Sequence, residues 1–300
     1  MEDLRPRLEK ALADQYVIER ELGGGGMSRT YLARERAFDR RVVIKVLAPE
    51  LLAGISVERF RREILLAAQL QHPHVVPVLT AGDVDGLPWF TMPYVDGDSL
   101  RQRLGQGRVG ISETVGILRD VARALAYAHQ HGVAHRDIKP DNVLLSAGSA
   151  TVTDFGIAKA ITAARGEVSF GTALTVAGTS IGTPTYKAPE QAAGDPDTDH
   201  RADLYSFGAV AYELLAGQPP FHGLPPSKML AAKLSETPKD IRSLCPECPE
   251  PLAELVTRCL MKEPNDRPQQ ASDMARVLDN ITSSGAAMAG VAVALVWFLT

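Results

Sequence analysis

Four consecutive glycines, Gly23 to Gly26 in ELGGGGMSRTYLARE, admit two readings: a backbone that closes on a phosphate chain, or a flexible turn. Glycine punctuates turns so commonly that the run alone does not separate them. Lys45 ends the strand-like stretch VVIK, where a lone lysine is most often a solvated edge residue. Glu63, among Arg59, Arg61 and Arg62, reads by itself as a surface charge. Further on, AHRDIKPDNVLL packs His135, Arg136, Asp137, Lys139, Asp141 and Asn142 into eight residues, and Pro140 keeps that stretch out of a helix. TDFG follows, with Asp154 ahead of Phe155 and Gly156. Whether these groups serve one phosphate-handling site depends on the elements that carry them.

Those elements change character along the chain. YVIERELG, RTYLARER and RRVVIKVL alternate as strands, and HPHVVPVL and LPWFTMPYV read as two more around a GDVDG turn. Between them SVERFRREILLAAQL places Phe60, Ile64, Ala67 and Ala68 on one helical stripe. From Ser99 the pattern is helical. SETVGILRDVARALAYAHQHG carries Val115, Leu118, Ala122 and Leu125 at helical spacing, with Ser112 as the expected N-cap and Gly132 as a stop. DLYSFGAVAYELLAG is apolar nearly all round, the mark of a buried helix, and EPLAELVTRCLM and SDMARVLDNI supply two more. The expected fold class is α+β: a small β-rich lobe and a larger helical lobe joined near Val95–Ser99, with a ligand cleft between them. The expected divisions are a helical extension over 1–15, the first lobe over 16–95, the second over 96–280 and an apolar tail over 281–300.

Composition bounds the rest. Of 300 residues, 45% are hydrophobic and 23% charged, which excludes a disordered or fibrous chain. A net charge of −4 argues against a nucleic-acid binder. Three cysteines are too few for a secreted disulfide scaffold and fit a reducing interior. The charged N-terminus is no secretory signal. GAAMAGVAVALVWFLT, from Gly285, is uncharged: either a membrane span cut short at Thr300, with Trp297 placed as a belt aromatic, or an apolar tail packed on the last helix.

The glycine run, VVIK, HRDIKPDN, DFG and the Ala188–Glu190 APE occur in one order, and that set resembles the eukaryotic-type protein kinase family over about Tyr16 to Asn280. The resemblance implies a bilobal kinase fold that transfers the γ-phosphate of ATP, with Mg²⁺ (Mn²⁺ as a substitute), to protein hydroxyls. It implies that Gly23, Gly25 and Gly26 admit the phosphates, with Leu22 and Thr30 also around the nucleotide. Lys45 would hold the α/β-phosphates, oriented by Glu63. Asp154 and Asn142 would be metal ligands, and Asp137 would receive the hydroxyl proton. Lys139, together with GTPTYKAPE, matches the serine/threonine-specific pattern, with Thr183 expected to meet Asp137 and Lys139. WFTMPYV resembles the adenine hinge, with Met92 as gatekeeper and the Pro93 carbonyl and Val95 N–H facing the base. Glu190 with Arg267, and Asp203 beneath the catalytic loop, would be scaffold.

The resemblance has departures. Ser28 stands at the third glycine position, Thr30 replaces the usual valine, and Lys187 replaces the apolar residue before APE. Arg136 before Asp137 implies control by phosphorylation between Asp154 and Glu190, with Thr172, Thr175 and Thr179 as candidates; the alternative is a loop that is simply polar. CPEC at Cys245–Cys248 lacks the second ligand pair of a zinc site, and His72 with His74, like His129 with His131, reads as structural or solvated. LGGGGMSRTYLARE, with a hydrophobic stretch soon after the kinase-like region, resembles bacterial members of the family, which implies a cytoplasmic kinase domain anchored in the inner membrane. Expected partners are protein substrates and a second copy for trans-autophosphorylation, with no nucleic acid. Two rivals stand beside this: a catalytically weak pseudokinase acting as a nucleotide-binding scaffold, supported by Ser28 and Thr30, and a small-molecule phosphotransferase, which has no need of GTPTYKAPE.

Overall fold

A computed structural model describes residues 4–25, 28–48, 56–157, 160 and 184–282. The β-branched, alternating stretches form strands Tyr16–Gly25 (β1), Ser28–Glu35 (β2) and Arg40–Leu47 (β3), since such side chains suit a pleated, half-buried surface. Thr80–Val84 (β4) and Leu87–Pro93 (β5) complete an antiparallel sheet in the order β1-β2-β3-β5-β4. Asp85 and Gly86, both with positive φ, close the two-residue turn between β4 and β5.

That arrangement corrects one expectation. HPHVVPVL does not form a strand: Val75 makes a single bridge to Val152, and the ladder begins at Thr80. Pro73 and Pro77 lack the amide that a ladder requires. Gly82 lies inside β4 rather than in a turn, and its missing side chain leaves room for the Trp89 indole, which an added Cβ would meet at 2.7 Å.

The sheet has two working faces. Val42, Ile44 and Val46 of β3 point to one side, where the helix Leu4–Leu12 (α1) buries Leu4, Leu8 and Leu12 at four-residue spacing. Val43 and Leu47 point to the other side, against Phe60 and Ile64 of the helix Val57–Ala67 (α2), which Ser56 caps. By the period of two, Lys45 shares this second face.

The helical lobe begins with a short strand, Asp98–Ser99 (β6), and the helix Leu100–Gly105 (α3), closed by a Ser99–Gln102 capping box. The helix Ile111–Gln130 (α4) starts one residue before the expected cap: extended Gly110 takes that position, its carbonyl accepts from Thr114 N at 2.8 Å, and Ser112 falls in the first turn. Val143–Ser146 (β7) pairs with β6 on one side and with Ser149–Val152 (β8) on the other, in a small three-stranded sheet. Then come Pro189–Ala193 (α5), Arg201–Ala216 (α6), Pro226–Ser235 (α7), Ile241–Leu244 (α8), Glu250–Cys259 (α9) and a helix over 271–282 (α10). Every residue of α6 from Ala202 to Leu215 is buried, so α6 is the axis of the lobe.

The architecture is therefore α+β: an antiparallel lobe and a larger helical lobe. Among the described residues no helix is long and apolar enough to cross a membrane. The apolar run from Gly285 lies outside them, as do Gly26, Thr172, Thr175, Thr179 and Thr183.

Candidate active site

The loop that carries Asp137 is built from the core outward. Asp203, on the first turn of α6, is fully buried; its carboxylate accepts from the main-chain N–H of His135 (2.7 Å) and of Arg136 (2.6 Å), and His129 Nε2 lies 2.9 Å away. Burial alone would raise this carboxyl, but the hydrogen bonds and charge at His129 and the His135 amide outweigh it and hold it below the usual carboxylate range. His135 Nε2 donates to the Thr153 carbonyl at 2.8 Å while its Nδ1 accepts from Asp137 N at 3.2 Å, which requires the tautomer with hydrogen on Nε2. Its ring meets Phe155 edge-on at 4.7 Å. The loop's turn is taken at Arg136, a non-glycine residue with φ of 66°, and Asp154 has φ of 71°. Such conformations cost about 1–3 kcal/mol each and persist where surroundings over-determine them. At Arg136 the surroundings do so: its amide is held by Asp203, its carbonyl accepts from Gln191 Nε2 of α5, and its guanidinium donates to the Thr198 carbonyl at 3.2 Å.

Three sequence candidates then meet at one carboxylate. Lys139 Nζ donates to Asp137 Oδ2 at 2.7 Å. Asn142 Nδ2 donates to the Asp137 carbonyl at 2.8 Å and to Oδ2 at 3.2 Å, leaving the Asn142 amide oxygen as its acceptor end. From the other lobe, Lys45 Nζ pairs with Asp154 Oδ2. Asp154 and Asn142 thus offer a carboxylate and an amide oxygen, hard donors that suit Mg²⁺. Among the described residues no three His, Cys, Asp or Glu side chains cluster as an ion site. Mg²⁺ does not need such a cage when waters and phosphate oxygens complete its shell.

Above them, the register of the sheet aligns the other sequence candidates. Gly23 pairs with Thr30, Thr30 with Lys45, and Lys45 with Phe90, so Thr30 and Lys45 share a face. Gly23, with φ of 124°, has open space where a side chain would stand. Gly25 pairs with Ser28 where β1 meets β2, and Leu22 is exposed beside them. Met92 is buried at the end of β5, and its sulfur accepts from Thr153 Oγ1 at 3.2 Å, linking the sheet to the residue before Asp154. Pro93 and Val95 are half-buried at the start of the linker between lobes, and Glu63 is half-buried on α2.

Residues 16–278 match the protein kinase domain family. The chain belongs to the protein kinase family. It is 38% identical over 270 residues to the serine/threonine-protein kinase PknB of Mycolicibacterium smegmatis, covering 88% of this chain and 42% of that protein. It is 38% identical over 283 residues to the serine/threonine-protein kinase PknF of Mycobacterium tuberculosis, covering 91% of this chain and 57% of that protein. The chain therefore spans about half the length of these relatives. The PknI kinase domain of M. tuberculosis superimposes with a TM-score of 0.68 at 32% identity, over 89% of this chain and 96% of that one.

The kinase also uses residues that the motifs did not mark. Gln191 holds the Arg136 carbonyl, and nothing in its sequence setting announces that. Gly97, with φ of 157°, presses the linker onto β7: an added Cβ would lie 2.0 Å from the Leu145 carbonyl oxygen. Ser146 Oγ donates to the Asp96 carbonyl at 2.7 Å in the same place. Beside the APE segment, Tyr186 OH bonds to the Glu213 carboxylate, and Arg101 donates to both, at 2.9 Å to Glu213, with its Nε 3.5 Å from Asp141. A glutamate inside the apolar helix α6 was the available signal. Arg267 is buried and forms a two-pronged bond to Glu190 at 2.6 and 2.8 Å, as the scaffold reading required. Cys245, Cys248 and Cys259 are free and buried; burial pushes the Cys248 thiol up to about 11 and Cys259 up to about 12, the range of inert structural thiols.

Proposed function

We propose that this kinase transfers the γ-phosphate of ATP to serine or threonine hydroxyls of proteins. The observation that carries the reading is the convergence of Lys139 and Asn142 on Asp137, with Asp154 reached by Lys45 from the opposite lobe. Phosphoryl transfer asks mainly for placement and for neutralised charge. Two donors on Asp137 Oδ2 leave Oδ1 to accept the proton of the attacking hydroxyl. Lys139, already beside that carboxylate, places positive charge near the phosphate in flight. Lys45 binds the α/β-phosphates, with Glu63 orienting it, and Leu22, Gly23, Gly25, Gly26 and Thr30 admit the nucleotide from above. Met92, Pro93 and Val95 receive the adenine. Asp154 and Asn142 hold Mg²⁺, which when bound neutralises phosphate charge. Arg136 Nε is buried without a hydrogen-bond partner among the described residues, a donor suited to a phosphate on Thr172, Thr175 or Thr179. The uncharged run from Gly285 serves as a membrane anchor with the kinase domain in the cytoplasm.

No observation favours the scaffold reading, because a scaffold has no need of the paired Asp137 and Asp154 sites. The deciding experiment incubates the full chain with Mg·ATP beside an Asp154→Asn control and maps phosphosites. Phosphate on Thr172, Thr175 or Thr179 in the parent alone is the expected result. Nucleotide binding without phosphate transfer in either protein would overturn it.

A further inference from the structure

Lys233 is a buried cation outside the cleft. It stands near the end of α7, 2% exposed, among the largest fully buried side chains. Lysine is almost never so deeply buried unless paired. Here the acceptors are main-chain carbonyls: Nζ donates to Pro184 O at 2.7 Å, to Thr185 O at 2.9 Å and to Lys187 O. The ring of Tyr205 in α6 lies 5.3 Å from the same nitrogen. An ammonium has three N–H donors, and each finds one carbonyl while the aromatic face closes a further side. The planar five-donor fork of arginine matches such a site poorly.

All three carbonyls belong to one stretch, 184–187, which leads into α5. Tyr186, in its middle, is tied by its hydroxyl to Glu213 and Arg101. The stretch is thus held twice, by its main chain on Lys233 and by a side chain on the network around Glu213. Burial first, and then the Lys187 ammonium, push Lys233 down to about 7, while Glu190 pulls it up. Such a charge is retained in a core only where its acceptors are pre-set around it.

We propose that Lys233 is a positioning residue that locks 184–187 into the shape on which the protein substrate docks, so that α7 and the docking segment form one body. This rests on the reading of that segment as a peptide platform in a protein kinase. A residue that merely glued the lobe would change stability and leave the balance between the two substrates alone.

The test compares the full-length parent with Lys233→Met, which keeps the length and removes the donors, and Lys233→Arg, which keeps the charge. The substrate is a threonine peptide that the parent selects from a degenerate library. In Lys233→Met the KM for peptide rises about tenfold, as expected for lost charged hydrogen bonds, the KM for ATP stays within about twofold, and amide exchange at residues 185–187 quickens. Lys233→Arg falls between the two and serves as the test should the methionine variant not fold. Unchanged exchange at 185–187 overturns the anchor and leaves the platform reading standing. Quickened exchange with an unchanged peptide KM overturns the docking role, and with it the platform reading. Equal changes in both KM values overturn a role specific to the protein substrate.

Discussion

The two walls of the cleft are held by very different amounts of structure. Asp137 sits on a loop whose amides end on buried Asp203, whose histidine bonds Thr153, and whose Arg136 carbonyl is taken by Gln191. Lys45, opposite, comes from a strand of the other lobe and meets the helical lobe through its pair with Asp154. The half that carries Asp137 is therefore pre-set as part of one core, while the half that carries Lys45 depends on how the lobes sit. Lobe position can change the second without disturbing the first.

Breaking the pre-set half has the largest effects. Asp137→Asn keeps the shape and its donors' reach but removes the proton acceptor, so kcat falls about 10³-fold while the thermal midpoint stays put; a steady-state assay beside a melting curve checks both. Asp203→Ala leaves two buried amides and His129 without their acceptor and costs about 3–5 kcal/mol in urea unfolding. Because the folded Asp203 carboxyl is depressed, its contribution is present above its unfolded value near about 4 and is lost as pH falls through the folded value. Asp203→Asn accordingly flattens the acid limb of the stability profile.

The adjustable half responds differently. Lys45→Met lowers kcat/KM about 100-fold through lost phosphate placement. It also destabilises the fold, by about 1–3 kcal/mol in urea unfolding, since both partners are largely shielded and Asp154 loses its cation. Gly97→Ala tests the linker between the halves: the added Cβ against the Leu145 carbonyl costs about 1–3 kcal/mol. The smallest effect is Ser28→Gly, which moves the KM for ATP less than about threefold by loosening the start of β2. A larger change there would show that the glycine-loop departure had set the nucleotide affinity.

Much of this is legible in the amino-acid sequence. The order of VVIK, HRDIKPDN, DFG and APE led to the family, and the change from alternating to helical patterning led to the two lobes, because period and turn chemistry are local properties. The strand expected at HPHVVPVL failed for a local reason that its two prolines already held. Ser112 is not the cap of α4, because Gly110 with extended geometry serves there. Gln191 and Lys233 were illegible for a different reason: each acts on main-chain carbonyls, and any residue can supply a carbonyl.

The sequence by itself determined which groups this protein brings to phosphate chemistry: two acids, two lysines, an amide and a glycine run, in an order that chance does not produce. Only the tertiary structure decided which of those groups meet and which are held. Lys45 reads as an edge charge until the period of two puts it on the face of the sheet that carries Val43 and Leu47 and it reaches Asp154. Asp203 reads as one acid at the start of an apolar helix until burial makes it the acceptor for two amides of the catalytic loop. The physical reason is that residue type fixes what a group can donate or accept, whereas burial and partner distance fix whether that capacity is spent on scaffold or kept for substrate.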